Sequence, residues 1–281
     1  MTASTAATRR RIRKLPALLA LIAVGLLFLI PFYWMFSSAF KPEDEIYRWP
    51  LQWNPSELVL DHFRRAWDTV PFGQFFVNSV IVTAFGATLK VILAVFSAYA
   101  FAFLSFPFKR VIFLAVLGAL MVPGHVTLLI NYITIGNLGL INTYAGIFLP
   151  GLASAFGTFL LRQHFLALPK EVLEAAQLDG CGHLRRLTRF VLPMAKPAVV
   201  TVALIAVIDE WNDFIWPLLV TNSLQMRTLP IGLMFLKETE GVDQWGPIMA
   251  GTVLVVLPML LLFLFAQRYI IAGLAGAATE K

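Results

Sequence analysis

Charge is scarce in this 281-residue chain: Asp, Glu, Lys and Arg make up only 14% of it, against 59% hydrophobic residues. Soluble domains carry about 25% charged and about 45–50% apolar residues, so too little charge remains here to cover a water-facing surface. Disorder needs low hydrophobicity and high net charge, and is excluded on the same numbers. Cysteine is nearly missing too. Cys181 stands alone and cannot form an intramolecular disulfide. The four histidines, His62, His125, His164 and His183, are scattered without an i,i+4 pair, which leaves a metal site unsupported. No lysine follows a glycine, so the Gly-Lys-Ser/Thr core of a phosphate-cradling loop is absent. If ATP drives this protein, another chain must bind it.

What the chain does have is long apolar runs. Barrel strands alternate apolar and polar residues over about 10 positions. Unbroken runs instead predict an all-α, polytopic membrane protein. A helix crosses about 30 Å of hydrocarbon with roughly 20 residues. Six stretches qualify, at about 15–40, 72–106, 111–133, 143–161, 198–220 and 247–266, in one transmembrane domain over 1–281. Pro31 is expected to kink the first, Pro123-Gly124 to interrupt the third, and Pro217 to free carbonyls in the fifth. The basic residues Arg9, Arg10, Arg11, Arg13 and Lys14 resemble the start of a signal peptide. The apolar stretch ends in Pro31-Phe32-Tyr33-Trp34 rather than in small residues, which points to an uncleaved anchor. With the N-terminus in the cytoplasm, fifteen of the 22 Lys and Arg fall inside and six outside, which favours both termini inside. The net charge of +6 is then a topology signal and calls for no nucleic acid.

The inner loop, 162–197, carries the most specific pattern. Pro169 suits the first turn of a helix, and Glu171 lies where the helix dipole favours an acid. Val172, Ala175 and Ala176 form an apolar stripe at i, i+3, i+4. Gly180 after Asp179 reads as the glycine just past a helix end. A basic stretch from His183 to Arg189 and a stop at Leu192-Pro193 follow. Such a short helix with a small-residue face reads as a docking element, or more blandly as an amphipathic helix lying at the membrane surface.

Glu174-Ala175-Ala176, three residues, Gly180, nine residues, Phe190, one residue, Leu192-Pro193 resembles the EAA loop of ABC importer permeases, with Phe190 where the family has an aliphatic residue. The resemblance extends to Lys41-Pro42-Glu43-Asp44-Glu45-Ile46, Asn78-Ser79, Leu138 to Thr143, Trp211 to Leu218, Gln267-Arg268 and Gly273-Leu274. The set is similar to the shorter six-span, maltose-type permease of carbohydrate uptake, with the type I importer fold. Relatives of that type import oligosaccharides, polyols or glycerol-3-phosphate. The resemblance implies a bacterial cytoplasmic membrane protein paired with a second, unlike permease. It also implies a homodimeric cytosolic ATPase, which uses ATP and Mg, and an extracytoplasmic solute-binding protein. On this reading the chain holds no cofactor and is no enzyme, and Glu171, Glu174, Ala175, Ala176, Asp179 and Gly180 couple it to the ATPase.

Charges inside a span usually face a cavity or a partner. Asp209, Glu210 and Asp213 in the fifth span, with Trp211, Asn212 and Trp216 beside them and Asn78 in the second, are the candidate solute path. Carboxylates and amides bond hydroxyls, and indoles stack on sugar faces. One of the three acids could instead pair with Lys90 of the second span. His125 and Asn131 are expected to bond carbonyls freed at Pro123-Gly124. Three acids and one lysine disfavour an anionic solute. An ion-coupled carrier would use the same acids as a relay, but the inverted repeat such carriers often show is not evident. A membrane enzyme would need a nucleophile, base and orienter within reach, and the spans offer no such set.

Overall fold

The computed structural model describes the backbone of residues 3–240 and 244–278, and the side chains of 16–237 and 244–267. In chain order its helices are α1 (Ala3–Ala39), α2 (Glu43–Ile46), α3 (Asp61–Thr69), α4 (Phe72–Phe103), α5 (Lys109–Ala119), α6 (Leu128–Asn137), α7 (Tyr144–Phe148), α8 (Ala155–Leu166), α9 (Lys170–Leu178), α10 (His183–Arg186), α11 (Leu192–Met194), α12 (Lys196–Asn212), α13 (Ile215–Val220), α14 (Leu229–Glu240) and α15 (Trp245–Ala278). Among the described residues there is no strand. The side chains of the basic cluster from Arg9 to Lys14, of Arg268, Gly273 and Leu274, and the whole of Lys281 lie outside the described residues.

Pro16–Ala39, α4 and Trp245–Gln267 are long and apolar enough to cross a bilayer unaided. Three further stretches pass only as bent pairs: Lys109–Ala119 with Gly124–Asn137 at 96°, Tyr144–Gly151 with Ala155–Leu166 at 50°, and His183–Met194 with Lys196–Asn212 at 86°. The span count is therefore three, or up to six if each bent pair is one span. Helix α1 is assigned without a break through Pro31.

Other breaks differ from expectation for identifiable reasons. The fourth stretch breaks at Leu149–Gly151, a 3-10 turn around Pro150, and runs on to Leu166. The fifth breaks at Asp213, where the backbone is extended (φ −65°, ψ 122°), and not at Pro217. Pro217 lies in the first turn of α13, where a missing N–H costs nothing. The stop expected at Leu192-Pro193 is absent. A π-helical turn over Leu187–Val191 leads into α11, and the chain bends only at Ala195. A proline ring clashes with the carbonyl four residues back, and the wider π turn relieves that clash.

The described residues gather into two compact units, within residues 1–70 with 233–256 and within residues 71–232 with 257–281. In the first, Ala39, Ala66, Leu236, Ala250 and Val253 form the core. The Lys41–Ile46 segment is a structural knot in this unit. Lys41 is buried, donates from Nζ to the carbonyl of Gln52 and lies 4.1 Å over the Trp34 ring. Glu43 accepts from Tyr47 Oη at 3.3 Å and from the Gly246 N–H at 3.4 Å. Glu45 accepts from the backbone N–H and hydroxyl of Ser56. Those two bonds hold its carboxyl below the usual glutamate range.

The second unit is built on α4. Its core joins Ala94, Val95, Ala98 and Tyr99 of α4 to Leu161 and Phe165 of α8, Leu173 of α9, and Ala198 and Val202 of α12. Small residues let these helices close together. A Cβ on Gly157 of α8 would stand 3.1 Å from both Ala94 Cβ and Val202 Cγ1. Polar Asn78, Ser79, Thr83 and Thr158 are buried, while Phe85, Leu93 and Phe96 face outward. Apolar groups outside and polar groups inside are what a lipid solvent permits.

Candidate functional site

Three helix breaks meet around one cavity in the second unit. Gly124 and His125 come from the turn between α5 and α6, Pro150 and Gly151 from the turn between α7 and α8, and Asp213 and Phe214 from the turn between α12 and α13. Its volume is about 680 Å³, within the roughly 300–1,000 Å³ of small-molecule sites. Irregular backbone at such depth is tolerated where it lines a cavity.

Five of the seven sequence-predicted path residues line it: Asp209, Glu210, Asn212, Asp213 and Trp216. Their circumstances differ. Glu210 forms the pair with Lys90 that the sequence left open among three acids. Lys90 Nζ lies 2.6 Å from Glu210 Oε1, with the two side chains only 12% and 8% exposed. The carboxylate fits because Gly86 of α4 faces it; a Cβ there would stand 2.8 Å from Glu210 Oε2. Asp213 lines the cavity at the break between α12 and α13, where its own backbone turns extended. Trp216 donates its indole N–H to the carbonyls of Gly146 and Ile147, at 3.2 and 2.9 Å, pinning α13 to α7. Asn212 donates to the carbonyl of Ile208 at 2.9 Å. Asp209 also lines a second, smaller cavity of about 310 Å³ together with Lys90 and Ser154.

Asn78 and Trp211 do not line the cavity. Asn78 is a lock: its Nδ2 donates to the carbonyls of Gln225 and Arg227 at 2.7 and 2.8 Å, and its Oδ1 accepts from Tyr144 Oη at 2.8 Å. Trp211 is buried with its ring edge-on to Phe76. Sequence position alone cannot separate these roles, because a buried amide that holds backbone looks the same as one that holds a hydroxyl. His125 and Asn131 line the cavity, while the Gly124 carbonyl at the break is taken by Thr127 Oγ1 at 2.8 Å. The Leu138–Thr143 segment is likewise a turn, with Asn142 at φ 62° accepting from the Asn222 and Ser223 N–H groups.

The second candidate element is α9. Lys170 opens it and Pro169 stands just before it as the N-cap, one position outside the expected first turn. At the other end, Cys181 N–H donates to the Ala176 carbonyl at 3.0 Å and Gly180 N–H to the Gln177 carbonyl at 3.1 Å. This bond pair is a Schellman motif, and it requires the residue at Gly180 to be left-handed. Its φ is +70°. The expected stripe is split. Leu173 and Ala176 are buried against the core, while Val172, Ala175 and Leu178 are exposed, Leu178 to 89%. Glu171, Glu174, Asp179 and Gly180 are exposed as well. The helix therefore spends one face on its own chain and presents the other, with a methyl-sized Ala175 beside Glu174, to the outside.

Residues 90–275 match the family of binding-protein-dependent transport system inner membrane components. The sn-glycerol-3-phosphate transport system permease protein UgpE of Yersinia pestis bv. Antiqua (strain Antiqua) is 33% identical over 265 residues, 92% of this chain and 94% of that one. The probable ABC transporter permease protein YurM of Bacillus subtilis (strain 168) is 35% identical over 256 residues, 89% and 83% of the two chains. A chain from the crystal structure of a bacterial ABC transporter involved in the import of the acidic polysaccharide alginate superposes with a TM-score of 0.78 at 21% identity, covering 92% and 96%.

Proposed function

The chain belongs to the family of inner membrane components of binding-protein-dependent transport systems, and from that premise we propose that it forms half of the solute path of an ABC importer for a neutral di- or oligosaccharide. It is a membrane-embedded transport permease. The cavity at the three helix breaks carries the proposal. It offers amide, imidazole, carboxylate and indole groups in a space large enough for sugar rings, and Asp209 and Asn212 are exposed on its rim, where an unlike second permease completes it.

ATP hydrolysis is the work of a separate cytosolic ATPase dimer, which uses Mg and docks on the exposed face of α9. The Schellman turn at Gly180 supports this, because it fixes the end of the helix that must bear the load. Both termini lie in the cytoplasm, and an extracytoplasmic binding protein delivers the solute. Asp209 and Asp213 set the solute charge. Glu210 is matched by Lys90, so these two acids are the excess. A phosphate held about 5 Å from one carboxylate, at an effective dielectric of about 20, meets about 3 kcal/mol of repulsion.

A second reading is glycerol-3-phosphate or a polyol, favoured by the name of the UgpE relative. Uptake into proteoliposomes with the cognate ATPase, second permease and binding protein separates the two. Neutral oligosaccharides should compete with the carried solute, and glycerol-3-phosphate should not. Preferential uptake of glycerol-3-phosphate would overturn the neutral-sugar assignment.

A further inference from the structure

We infer that Arg186 is the positioning residue that joins the ATPase-docking helix to the solute cavity, an inference that rests on the docking role proposed for α9. Arg186 is only 8% exposed. Burying a charge is costly unless it is paired and hydrogen-bonded, and among the described residues no ion pair to Arg186 is found. Its guanidinium is instead spread over three elements. Nε donates to Tyr99 Oη of α4 at 2.9 Å, Nη1 donates to Gln177 Oε1 of α9 at 3.1 Å, and Nη2 donates to His183 Nδ1 of α10 at 3.0 Å. The guanidinium carbon also lies 5.9 Å from the centres of the Tyr99 and Phe103 rings of α4. A planar fork with donors on several edges can hold three partners in fixed directions, which an ammonium cannot.

The far side of the link is α4 itself. Tyr99 stands nine residues along that helix from Lys90, about 13 Å at 1.5 Å per residue, and Lys90 holds Glu210 at the cavity. Helix α4 is continuous between the two. A push on α9 is therefore passed through Gln177, Arg186 and Tyr99 to a rigid rod that carries the Lys90–Glu210 pair. Gln177 is exposed on α9, and its side-chain oxygen accepts from the Arg186 guanidinium, which makes it the joint between helix and clamp.

The test uses the whole complex in proteoliposomes and reads solute moved per ATP hydrolysed, alongside membrane abundance and ATPase copurification. Gln177→Ala and Tyr99→Phe each remove one leg of the clamp, and each should lower the transport-to-hydrolysis ratio by about tenfold, the value of one charge-assisted hydrogen bond. Abundance and copurification should stay at wild-type levels. Gln177→Glu keeps an acceptor on Arg186 and should keep the ratio. An unchanged ratio in both Gln177→Ala and Tyr99→Phe would overturn the inference, as would uptake that falls only in step with abundance or ATPase binding. A wild-type complex with no ATP-dependent uptake would overturn the docking reading itself, and this inference with it.

Discussion

The Lys90–Glu210 pair can be broken from three directions, and the three should agree. With Nζ and Oε1 at 2.6 Å and both side chains nearly excluded from solvent, the Coulomb attraction is about 6 kcal/mol at an effective dielectric of about 20. Most of that offsets desolvation. Removal of one partner leaves an uncompensated buried charge, at a cost of about 3–5 kcal/mol. Glu210→Gln and Lys90→Met should each destabilise by that amount. The exchanged pair Lys90→Glu with Glu210→Lys should recover much of it. Gly86→Ala reaches the same interaction from α4. Its new Cβ would stand 2.8 Å from Glu210 Oε2 and 3.2 Å from Phe148 Cβ, and overpacking of this kind costs about 1–3 kcal/mol. Because Gly86→Ala acts by crowding the Glu210 carboxyl, its cost should shrink in the Glu210→Ala background, which removes the crowded atoms, a non-additivity expected of groups sharing one contact. Thermal melting of the purified proteins in detergent, with membrane abundance as control, gives these comparisons. Wild-type melting of both single charge variants, or strict additivity of Gly86→Ala with Glu210→Ala, would refute the reasoning.

Gly180→Asp should abolish uptake at normal membrane abundance; a Cβ at Gly180 meets nothing within 4 Å, so the penalty is the left-handed φ itself, about 1–2 kcal/mol, and full uptake by this variant would contradict it. Glu174→Lys should leave insertion intact and reduce copurification of the ATPase several-fold, since a cation replaces an acid on the exposed face of α9. Glu45 has a depressed carboxyl because Ser56 donates to it twice. Its contribution is therefore fully present above the ordinary value of 4.5 and is lost as the pH falls through the lower, folded value. Hydrogen exchange over residues 41–56 should speed up in that acid window in the wild type, and the Glu45→Gln protein should show no such step.

The sequence made α9 legible because three constraints met at one place: an acid at the helix start, the small residues Ala175 and Ala176, and Gly180 two residues past the helix end. Charge in the apolar runs made Lys90 and the acids legible as a group, but the choice of Glu210 depends on Gly86, whose missing side chain opens the slot. The breaks at Pro150 and Asp213 were hidden for opposite reasons. Pro150-Gly151 sits inside an otherwise apolar run, and the turn at Asp213 comes where neither glycine nor proline marks a break. Pro193 and Pro217 misled in the same way, since a proline breaks a helix only where a backbone N–H is needed or a carbonyl is in its way. Arg186 looked like one more loop cation and counted only towards topology. Its burial comes from Tyr99 and Phe103, more than 80 residues earlier, which no local pattern reveals.

The central claim is that this chain moves solute only when work is delivered to α9 from another protein. Proteoliposomes holding this chain, its partner permease and the binding protein, with and without the ATPase and internal ATP, test it most directly. Uptake should appear only when both ATPase and ATP are present. Uptake in their absence, driven by an imposed ion gradient, would contradict the account.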